Sequence, residues 1–197
     1  MLNRTLLAAL LPLNLILSAC GGGNAPSQPP LAGAAIGGPF TLTSDTGKAV
    51  KEADFAGQYR LVYFGYTFCP DVCPVDVQTL MAGFAAFEKQ KAATAAKVQP
   101  LFITVDPGRD TPEALHQFVS AFHPRLIGLT GDPAEIARVV KAYGAYAQLG
   151  EKKPDGSYLV DHTRNAMLFG PDGKPIAIIP HDKGGAAVAA ELGRWVK

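Results

Sequence analysis

The sequence predicts an α/β fold with a mixed β-sheet, because strand-like and helix-like patterns alternate along the chain. Residues 61–64 form a continuous apolar run of strand length, typical of a strand that is buried on both faces of a sheet, and residues 101–105 repeat this buried-strand pattern. Apolar residues at helical spacing follow each run, and the chain closes with a hairpin pattern and a last helix. This order predicts a central sheet flanked by helices.

A small N-terminal β-hairpin is predicted first, because residues 39–42 are strand-like and the turn-forming residues 44–47 follow them. The first helix follows the strand at 61–64, and its inward-facing residues are Val77, Leu80, Met81, Phe84 and Phe87. The second helix follows the strand at 101–105. It opens with Thr-Pro-Glu at 111–113, which supplies a capping hydroxyl, a first-turn proline and an acidic residue.

The remaining elements are predicted from the same signals. The apolar face of the second helix is formed by Leu115, Phe118, Val119 and Phe122. Asp132-Pro133 opens a third helix, whose inward-facing residues are Ile136, Val139, Val140 and Tyr143. Residues 166–169 and 176–179 flank the loop Gly-Pro-Asp-Gly-Lys and form a predicted hairpin. A last helix is predicted from about Gly185 to Trp195.

Composition and charge indicate one globular domain. The chain has 197 residues, 48% of them hydrophobic, and its 18 basic and 17 acidic side chains nearly balance. This length matches a single compact core, and the balanced charge gives no electrostatic reason to expect a nucleic-acid partner.

The N-terminus resembles a bacterial lipoprotein signal. Arg4 supplies a positive charge, and residues 6–17 form an apolar stretch that is too short to span a bilayer. Leu-Ser-Ala-Cys at 17–20 resembles a lipobox, which implies cleavage before Cys20 and lipidation of its thiol. The alternative is an ordinary secretory signal that happens to contain a cysteine.

This interpretation predicts three segments. Residues 1–19 are a signal peptide, residues 20–36 are a flexible linker rich in Gly, Pro and Ala, and residues 37–197 are the folded domain. Two or three acyl chains anchor a protein stably. We therefore expect an extracytoplasmic protein that is lipid-anchored to a bacterial membrane on its periplasmic side.

Cys69 and Cys73 remain for chemistry once Cys20 is assigned to the lipid. A structural disulfide between them would stabilise little, because loop-closure entropy grows with loop length. The pair lies between a strand and a helix, where the helix dipole and free backbone N–H groups favour thiolates. If the helix has begun by Cys69, both sulfurs lie on one face, within reach of a disulfide or of one metal ion. A redox pair and half of a metal site both stay open.

The four histidines differ in their predicted positions. His116 and His123 are predicted to be surface or packing residues of the second helix, and His181 a loop residue after the hairpin. His162 lies before the strand at 166–169, which is expected near the sheet centre. It would therefore lie at a loop-strand junction on the rim of the sheet.

Several motifs resemble, in the same order, those of the Sco/SenC family of copper chaperones. The segments YFGYTFCPDVCP (63–74), FITVDPGRDTPEAL (102–115), LIGLTGD (126–132) and VDHTRNAMLFGPDGK (160–174) are similar to successive family signatures. GGPFTLT (37–43) is similar to the opening hairpin of the family. Because several independent motifs match across the predicted domain, this resemblance is much more specific than two cysteines at one spacing.

The resemblance implies a thioredoxin-like fold in which Cys69, Cys73 and His162 bind copper. Thiolates suit Cu(I), and an imidazole adds a ligand that also suits Cu(II). The family implies delivery of copper to the binuclear copper centre of cytochrome c oxidase subunit II, with other periplasmic copper chaperones or thiol reductants as further partners.

An enzyme is the alternative function. A membrane-tethered thiol-disulfide oxidoreductase would use Cys69 and Cys73 as a redox-active disulfide, and thiol peroxidases share the fold. Thioredoxin-type enzymes usually separate their cysteines by two residues, whereas this chain has three and supplies a histidine from a later motif. These features favour a metal carrier over an enzyme.

Three aspartates are candidates for roles around the copper site. Asp106 and Asp110 match a family pattern of two acidic residues, which is thought to lie near copper and to help dock or coordinate. Both also suit structural roles, since Asp106-Pro107 is a common turn sequence and Asp110 precedes a capped helix. Asp161 is adjacent to His162 and is a candidate to orient its ring, as carboxylates behind metal-binding histidines often do.

Overall fold

The computed structural model describes residues 28–197, and the features predicted at 1–27, including Cys20, lie outside the described residues. The strands are β1 (Thr41–Ser44), β2 (Ala49–Lys51), β3 (Tyr59–Gly65), β4 (Val98–Thr104), β5 (Ile127–Thr130), β6 (Ala147–Leu149), β7 (Val160–His162), β8 (Ala166–Phe169) and β9 (Pro175–Ile179). The α-helices are α1 (Val72–Gln90), α2 (Ala92–Ala95), α3 (Pro112–Ser120), α4 (Pro133–Ala142) and α5 (Gly185–Trp195), and short 3-10 helices lie at Glu52–Phe55 and His181–Lys183. In this part of the chain, no helix combines the length and the apolar character that crossing a bilayer requires.

The central sheet is mixed, as predicted. Its seven strands lie in the order β2-β1-β5-β4-β3-β8-β9. The strand pairs β3–β4 and β4–β5 are parallel, whereas the hairpins β1–β2 and β8–β9 are antiparallel. The predicted N-terminal hairpin and the predicted closing hairpin are therefore both confirmed.

The sheet separates two hydrophobic cores, and β3 contributes to both. Leu61 and Tyr63 pack with residues of α1, α3 and α5 on one face. Val62 and Phe64 pack with residues of α4 on the other face. Because successive side chains of a strand point to opposite faces, this continuous apolar run fills both cores. The prediction of a strand buried on both faces is confirmed.

Local capping signals define the starts of two helices. The Thr111 hydroxyl accepts a hydrogen bond from the backbone N–H of Ala114 at 3.2 Å, and α3 begins at the next residue, Pro112. The Asp132 carboxylate accepts from the N–H of Ala134 at 2.8 Å and caps α4 in the same way. These caps satisfy N–H groups that have no partner inside the helix.

Two strands outside the central sheet were not predicted. β6 and β7 pair antiparallel in a separate two-stranded sheet, and each has only three residues, most of them exposed or half-buried. His162 is the last residue of β7 rather than part of a loop before β8. β5 lies within the motif at 126–132, for which no separate strand is predicted.

The described end of the predicted linker contacts the domain. The backbone N–H of Leu31 donates to the carbonyl of Ile176 in β9 at 3.0 Å. The N–H of Gly37 donates to the carbonyl of Ala142 at 2.8 Å. The chain is therefore held to the domain on both sides of the predicted boundary at residue 36.

Candidate metal centre

The turn between β3 and α1 carries the two cysteines. Because α1 begins at Val72, Cys69 lies in the turn before the helix and Cys73 lies in its first turn. The pair does not share a helix face. Instead, the Sγ of Cys69 accepts a hydrogen bond from the backbone N–H of Cys73 at 3.4 Å. This contact holds the sulfur at the N-terminus of α1, where the helix dipole favours negative charge.

The small sheet β6–β7 brings His162 to the cysteines. His162 pairs with Ala147 of β6, and its Nδ1 lies 3.0 Å from the backbone carbonyl oxygen of Thr163. When Nδ1 carries the proton and its N–H donates to this carbonyl, Nε2 is unprotonated and its lone pair is free to bind a metal. The Nε2 atom lies 3.1 Å from the Sγ of Cys73. The ring is therefore oriented with its metal-binding nitrogen toward the thiols.

Cys69, Cys73 and His162 form a compact group of potential ligands. One ligand atom from each lies within 4.8 Å of the other two, and both cysteines are free thiols. Across residues 28–197, no second group of three or more Cys, His, Asp and Glu side chains is arranged in this way. A structural zinc site would normally have four such ligands. Two thiolates and an imidazole suit copper.

The three side chains differ in proton affinity. Partial burial alone would raise the pKa of the Cys69 thiol, but backbone N–H groups of residues 71–73 donate to its sulfur and hold the pKa below its ordinary value. Burial raises the pKa of the Cys73 thiol. Burial lowers the pKa of the His162 imidazole, which keeps the ring neutral and able to bind a metal. Cys69 is therefore the more reactive of the two thiols.

The group of ligands opens onto a cavity of about 290 Å³, whose lining includes Cys69 and His162. Leu159 lines the same cavity with 52% of its surface exposed, so an apolar side chain flanks the opening. Phe68, which precedes Cys69 in the chain, is 55% exposed. A larger groove of about 580 Å³ lies between α4 and β6, but none of the three ligands lines it. The potential metal ligands are therefore reached through the smaller cavity.

The predicted aspartates lie outside the group of ligands. Asp106 and Asp110 are buried, and their carboxylates accept hydrogen bonds from protein donors in neighbouring segments. Asp161 is exposed, and the hydrogen bond that orients His162 comes from the carbonyl of Thr163 rather than from the Asp161 carboxylate. A direct role in metal binding stays a prediction for all three.

A buried polar network next to Cys73 was not predicted. Asp76 lies one helical turn further along α1 and accepts a hydrogen bond from the Tyr63 hydroxyl at 2.9 Å. The guanidinium of Arg164 donates two hydrogen bonds to the same carboxylate, at 2.8 and 2.7 Å. Burial opposes ionisation of Asp76, but the bonds from Arg164 and Tyr63 hold its pKa below the ordinary value. The network ties the segment after His162 to the helix that carries Cys73.

The prediction that His181 is a loop residue was wrong. His181 is buried in a 3-10 helix, and its Nε2 lies 3.4 Å from the Asp76 carboxylate. His116 is exposed beside Asp45, and His123 packs on Phe84, as expected of surface and packing residues. The signal that could have located His181 is its buried acidic partner Asp76, but the sequence does not show that Asp76 is buried.

The fold and the site define a class of protein: a thioredoxin-like domain that presents two thiols and an imidazole at an open cavity. A family model described as SCO1/SenC matches residues 28–197, and the chain belongs to this family. The resemblance in the sequence motifs is thereby confirmed.

Curated and solved relatives support this assignment. The mitochondrial SCO1 homolog of Homo sapiens is 41% identical over 157 residues, which cover 80% of this chain and 52% of that protein. The chain thus spans about half the length of the curated relatives it matches. The structure of Bradyrhizobium japonicum ScoI with copper bound is 42% identical, with a TM-score of 0.74, and covers 82% of this chain and 100% of that one.

A more distant solved relative is BsSco, described as a member of the Sco family of cytochrome c oxidase assembly proteins with a disulfide switch. It is 25% identical to this chain, with a TM-score of 0.57, over 81% of this chain and 92% of that one.

Proposed function

We propose that this protein is a metallochaperone that binds copper and delivers it during the assembly of cytochrome c oxidase. The observation that carries the proposal is the group formed by Cys69, Cys73 and His162, whose ligand atoms lie within 4.8 Å of one another. Two thiolates suit Cu(I), and the imidazole adds a ligand that also suits Cu(II). A relative that is 42% identical, Bradyrhizobium japonicum ScoI, has been solved with copper bound, which supports copper as the metal.

The geometry favours transfer over permanent storage. Cys69 is half-buried and lines an open cavity together with His162, so a partner can reach the ion from solvent. Three protein ligands leave room in the coordination sphere for a ligand of the partner. That ligand can bind before the thiolates and the imidazole release the ion, which avoids free copper.

The partner inferred from the family is cytochrome c oxidase subunit II, the subunit that carries a binuclear copper centre. Support comes from BsSco, which is described as a cytochrome c oxidase assembly protein. Other periplasmic copper chaperones or thiol reductants would load or reduce the site, because copper can bind only when both sulfurs are reduced.

Copper transfer to a metal-free fragment of oxidase subunit II tests the proposal. The reduced protein, loaded with one equivalent of copper, should lose its copper to the fragment, whose binuclear-centre absorption should appear at a matching rate. A Cys69→Ser, Cys73→Ser double variant is the control and should transfer none. If the reduced metal-free protein instead reduces a disulfide in the fragment and the loaded protein transfers no copper, the oxidoreductase function replaces this one.

The thiol-disulfide oxidoreductase is the second candidate, and the position of Cys69 favours it. This thiol is half-buried, lies at the N-terminus of α1 and has a lowered pKa, which are the properties of an attacking thiolate. The Cys69 thiolate would attack a disulfide of the partner and release one partner thiolate. Cys73 would then give its proton to the released partner thiolate and attack the Cys69 sulfur, which releases the second partner thiolate and leaves a Cys69–Cys73 disulfide. Two electrons pass to the partner and leave both cysteines oxidised. Because copper binding needs the same two sulfurs in their reduced form, copper delivery and disulfide reduction compete.

A lipid anchor at Cys20 is the remaining part of the proposal. The lipobox-like sequence and the uncharged linker support attachment to the periplasmic side of a bacterial membrane. The curated relatives are mitochondrial proteins, so the compartment must be tested directly. Mass spectrometry of the mature protein should find a diacylated N-terminal Cys20. An unmodified Cys20, or cleavage at another position, would refute the anchor.

A further inference from the structure

We propose that Asp106 and Asp110 are positioning residues, which hold the two copper-binding segments at a fixed spacing without binding copper themselves. This inference rests on the proposed function. Cys69 and His162 come from distant parts of the chain, and the loop after β4 contacts both segments. Each aspartate holds one of them.

Asp110 holds the turn that carries Cys69. One of its carboxylate oxygens accepts from the Thr67 hydroxyl at 2.6 Å, and the other accepts from the Thr67 backbone N–H at 3.0 Å. The second oxygen also accepts from the Thr104 hydroxyl at 2.6 Å. The Asp110 side chain is fully buried, where such bonds are strong and their loss leaves an unsatisfied group. Thr67 lies two residues before Cys69, so these bonds fix the backbone from which that thiol projects.

Asp106 holds the segment that leads to His162. Its carboxylate accepts from the Tyr158 hydroxyl at 2.9 Å and from the Nε of Arg109. The Arg109 guanidinium lies 3.6 Å from the centroid of the Tyr158 ring and donates to the Tyr158 carbonyl at 3.1 Å. Tyr158 lies four residues before His162, so both its side chain and its backbone are fixed at the entrance to β7.

The two aspartates belong to one turn that is hydrogen-bonded internally. The backbone N–H of Asp110 donates to the Asp106 carbonyl at 3.0 Å. The Thr104 hydroxyl accepts from the backbone N–H of Asp106 at 2.9 Å and donates to the Asp110 carboxylate. This turn therefore connects the cysteine segment to the histidine segment through hydrogen bonds and through the contact between Arg109 and the Tyr158 ring. Groups that hydrogen-bond metal ligands directly are typically worth about 10- to 100-fold in metal affinity, and these aspartates act on the ligand segments through Thr67 and Tyr158.

The variant Tyr158→Phe tests the histidine side of this connection, because it removes only the hydroxyl that binds Asp106. We expect it to weaken Cu(II) binding by about tenfold or more and to shift the thiolate-to-Cu(II) absorption band. The matched control is Tyr143→Phe, which removes a hydroxyl bonded to the Gly38 carbonyl at 3.2 Å, outside this turn. This control should leave both measurements unchanged.

A positioning role requires the effect to act through His162. In a His162→Ala background, Tyr158→Phe should therefore cause no further loss of copper affinity. An equal loss in that background, or an unchanged affinity and spectrum in Tyr158→Phe alone, would overturn the proposal for Asp106.

The cysteine side can be tested in the metal-free protein. In Asp110→Asn, hydrogen exchange of the Thr67 amide should accelerate more than that of the Gly170 amide, which donates within the β8–β9 hairpin. Equal acceleration at both amides, or none, would contradict the role of Asp110. If the wild-type protein binds no copper, the proposed function fails, whereas this exchange measurement still decides whether Asp110 holds the turn.

Discussion

The Nε2 atom of His162 lies 3.1 Å from the Sγ atom of Cys73, although the two residues are 89 positions apart in the chain. Cys73 is carried by α1, which follows the central strand β3, and His162 is carried by the small sheet β6–β7. This contact completes a group of three ligands that neither segment could form alone. The proposed copper chemistry depends on it.

His162→Ala should weaken Cu(II) binding and change the thiolate-to-Cu(II) absorption, because one of three ligands is lost. Disulfide formation between Cys69 and Cys73 should persist, since both sulfurs remain. His116→Ala is the matched control, because His116 is an exposed histidine that pairs with Asp45 at 2.9 Å. Copper titration and absorption spectra of the two variants check the prediction, and an unchanged spectrum in His162→Ala would remove this residue from the site.

Iodoacetamide should modify Cys69 much faster than Cys73. Cys69 is half-buried with a lowered pKa, whereas Cys73 is fully buried and burial raises its pKa. The two thiols can be measured separately in Cys73→Ser and Cys69→Ser. For Cys69, the lowered pKa means that the rate should reach its plateau at a lower pH than for an ordinary cysteine. Equal rates for the two thiols would contradict the asymmetry inferred from the fold.

Asp76→Asn should lower the free energy of unfolding at neutral pH by about 2 kcal/mol, a typical value for hydrogen bonds to a charged group. The folded-state pKa of Asp76 lies below its ordinary value. Its ionised form therefore stabilises the fold fully when the pH is above the ordinary pKa of an aspartate. The contribution is lost as the pH falls through the folded-state pKa. The difference in free energy of unfolding between wild type and Asp76→Asn should therefore be largest at neutral pH and shrink below about pH 4.

Urea unfolding at several pH values measures this difference. Asp172→Asn is the control, because Asp172 pairs with Lys174 on an exposed hairpin and should contribute little. A stability difference for Asp76→Asn that stays constant into strong acid would show that the carboxylate charge is not the cause.

Phe68→Ser should slow copper transfer to oxidase subunit II while leaving copper affinity nearly unchanged. Phe68 precedes Cys69 and is 55% exposed, so it is available to a partner that approaches the ion. Ile178→Ser is a matched control, because Ile178 is similarly exposed, at 48%, but lies on β9 rather than next to a copper-binding residue in the chain. Stopped-flow transfer rates test the prediction, and equal slowing in both variants would argue against a specific contact at Phe68.

Most of the fold follows from local patterns in the sequence. The buried run in β3 and the caps at Thr111 and Asp132 are signals that act over a few residues, and the structure places strands and helices where they predict. The cysteine pair could also be recognised locally. The choice of His162 among four histidines required the family motifs, because spacing along the chain does not show which ring faces the thiols.

The parts that could not be predicted depend on distant contacts. β6 and β7 are short and largely exposed, so neither carries the alternation of apolar and polar residues that identifies a strand. Asp76 is an acidic residue in a helix, and its carboxylate is paired by side chains from other segments, among them Arg164, 88 positions away. Asp106 and Asp110 likewise gain their distant partners, Tyr158 and Thr67, only when the loops have folded together.

X-ray absorption spectroscopy of the reduced protein, loaded with one equivalent of copper, identifies the atoms that bind the metal. We expect a 1:1 complex in which the nearest neighbours of copper are two sulfurs, from Cys69 and Cys73, and one imidazole nitrogen, from His162. The nitrogen contribution should disappear in His162→Ala. A copper shell without sulfur, or an imidazole signal that survives in His162→Ala, would contradict the proposed site.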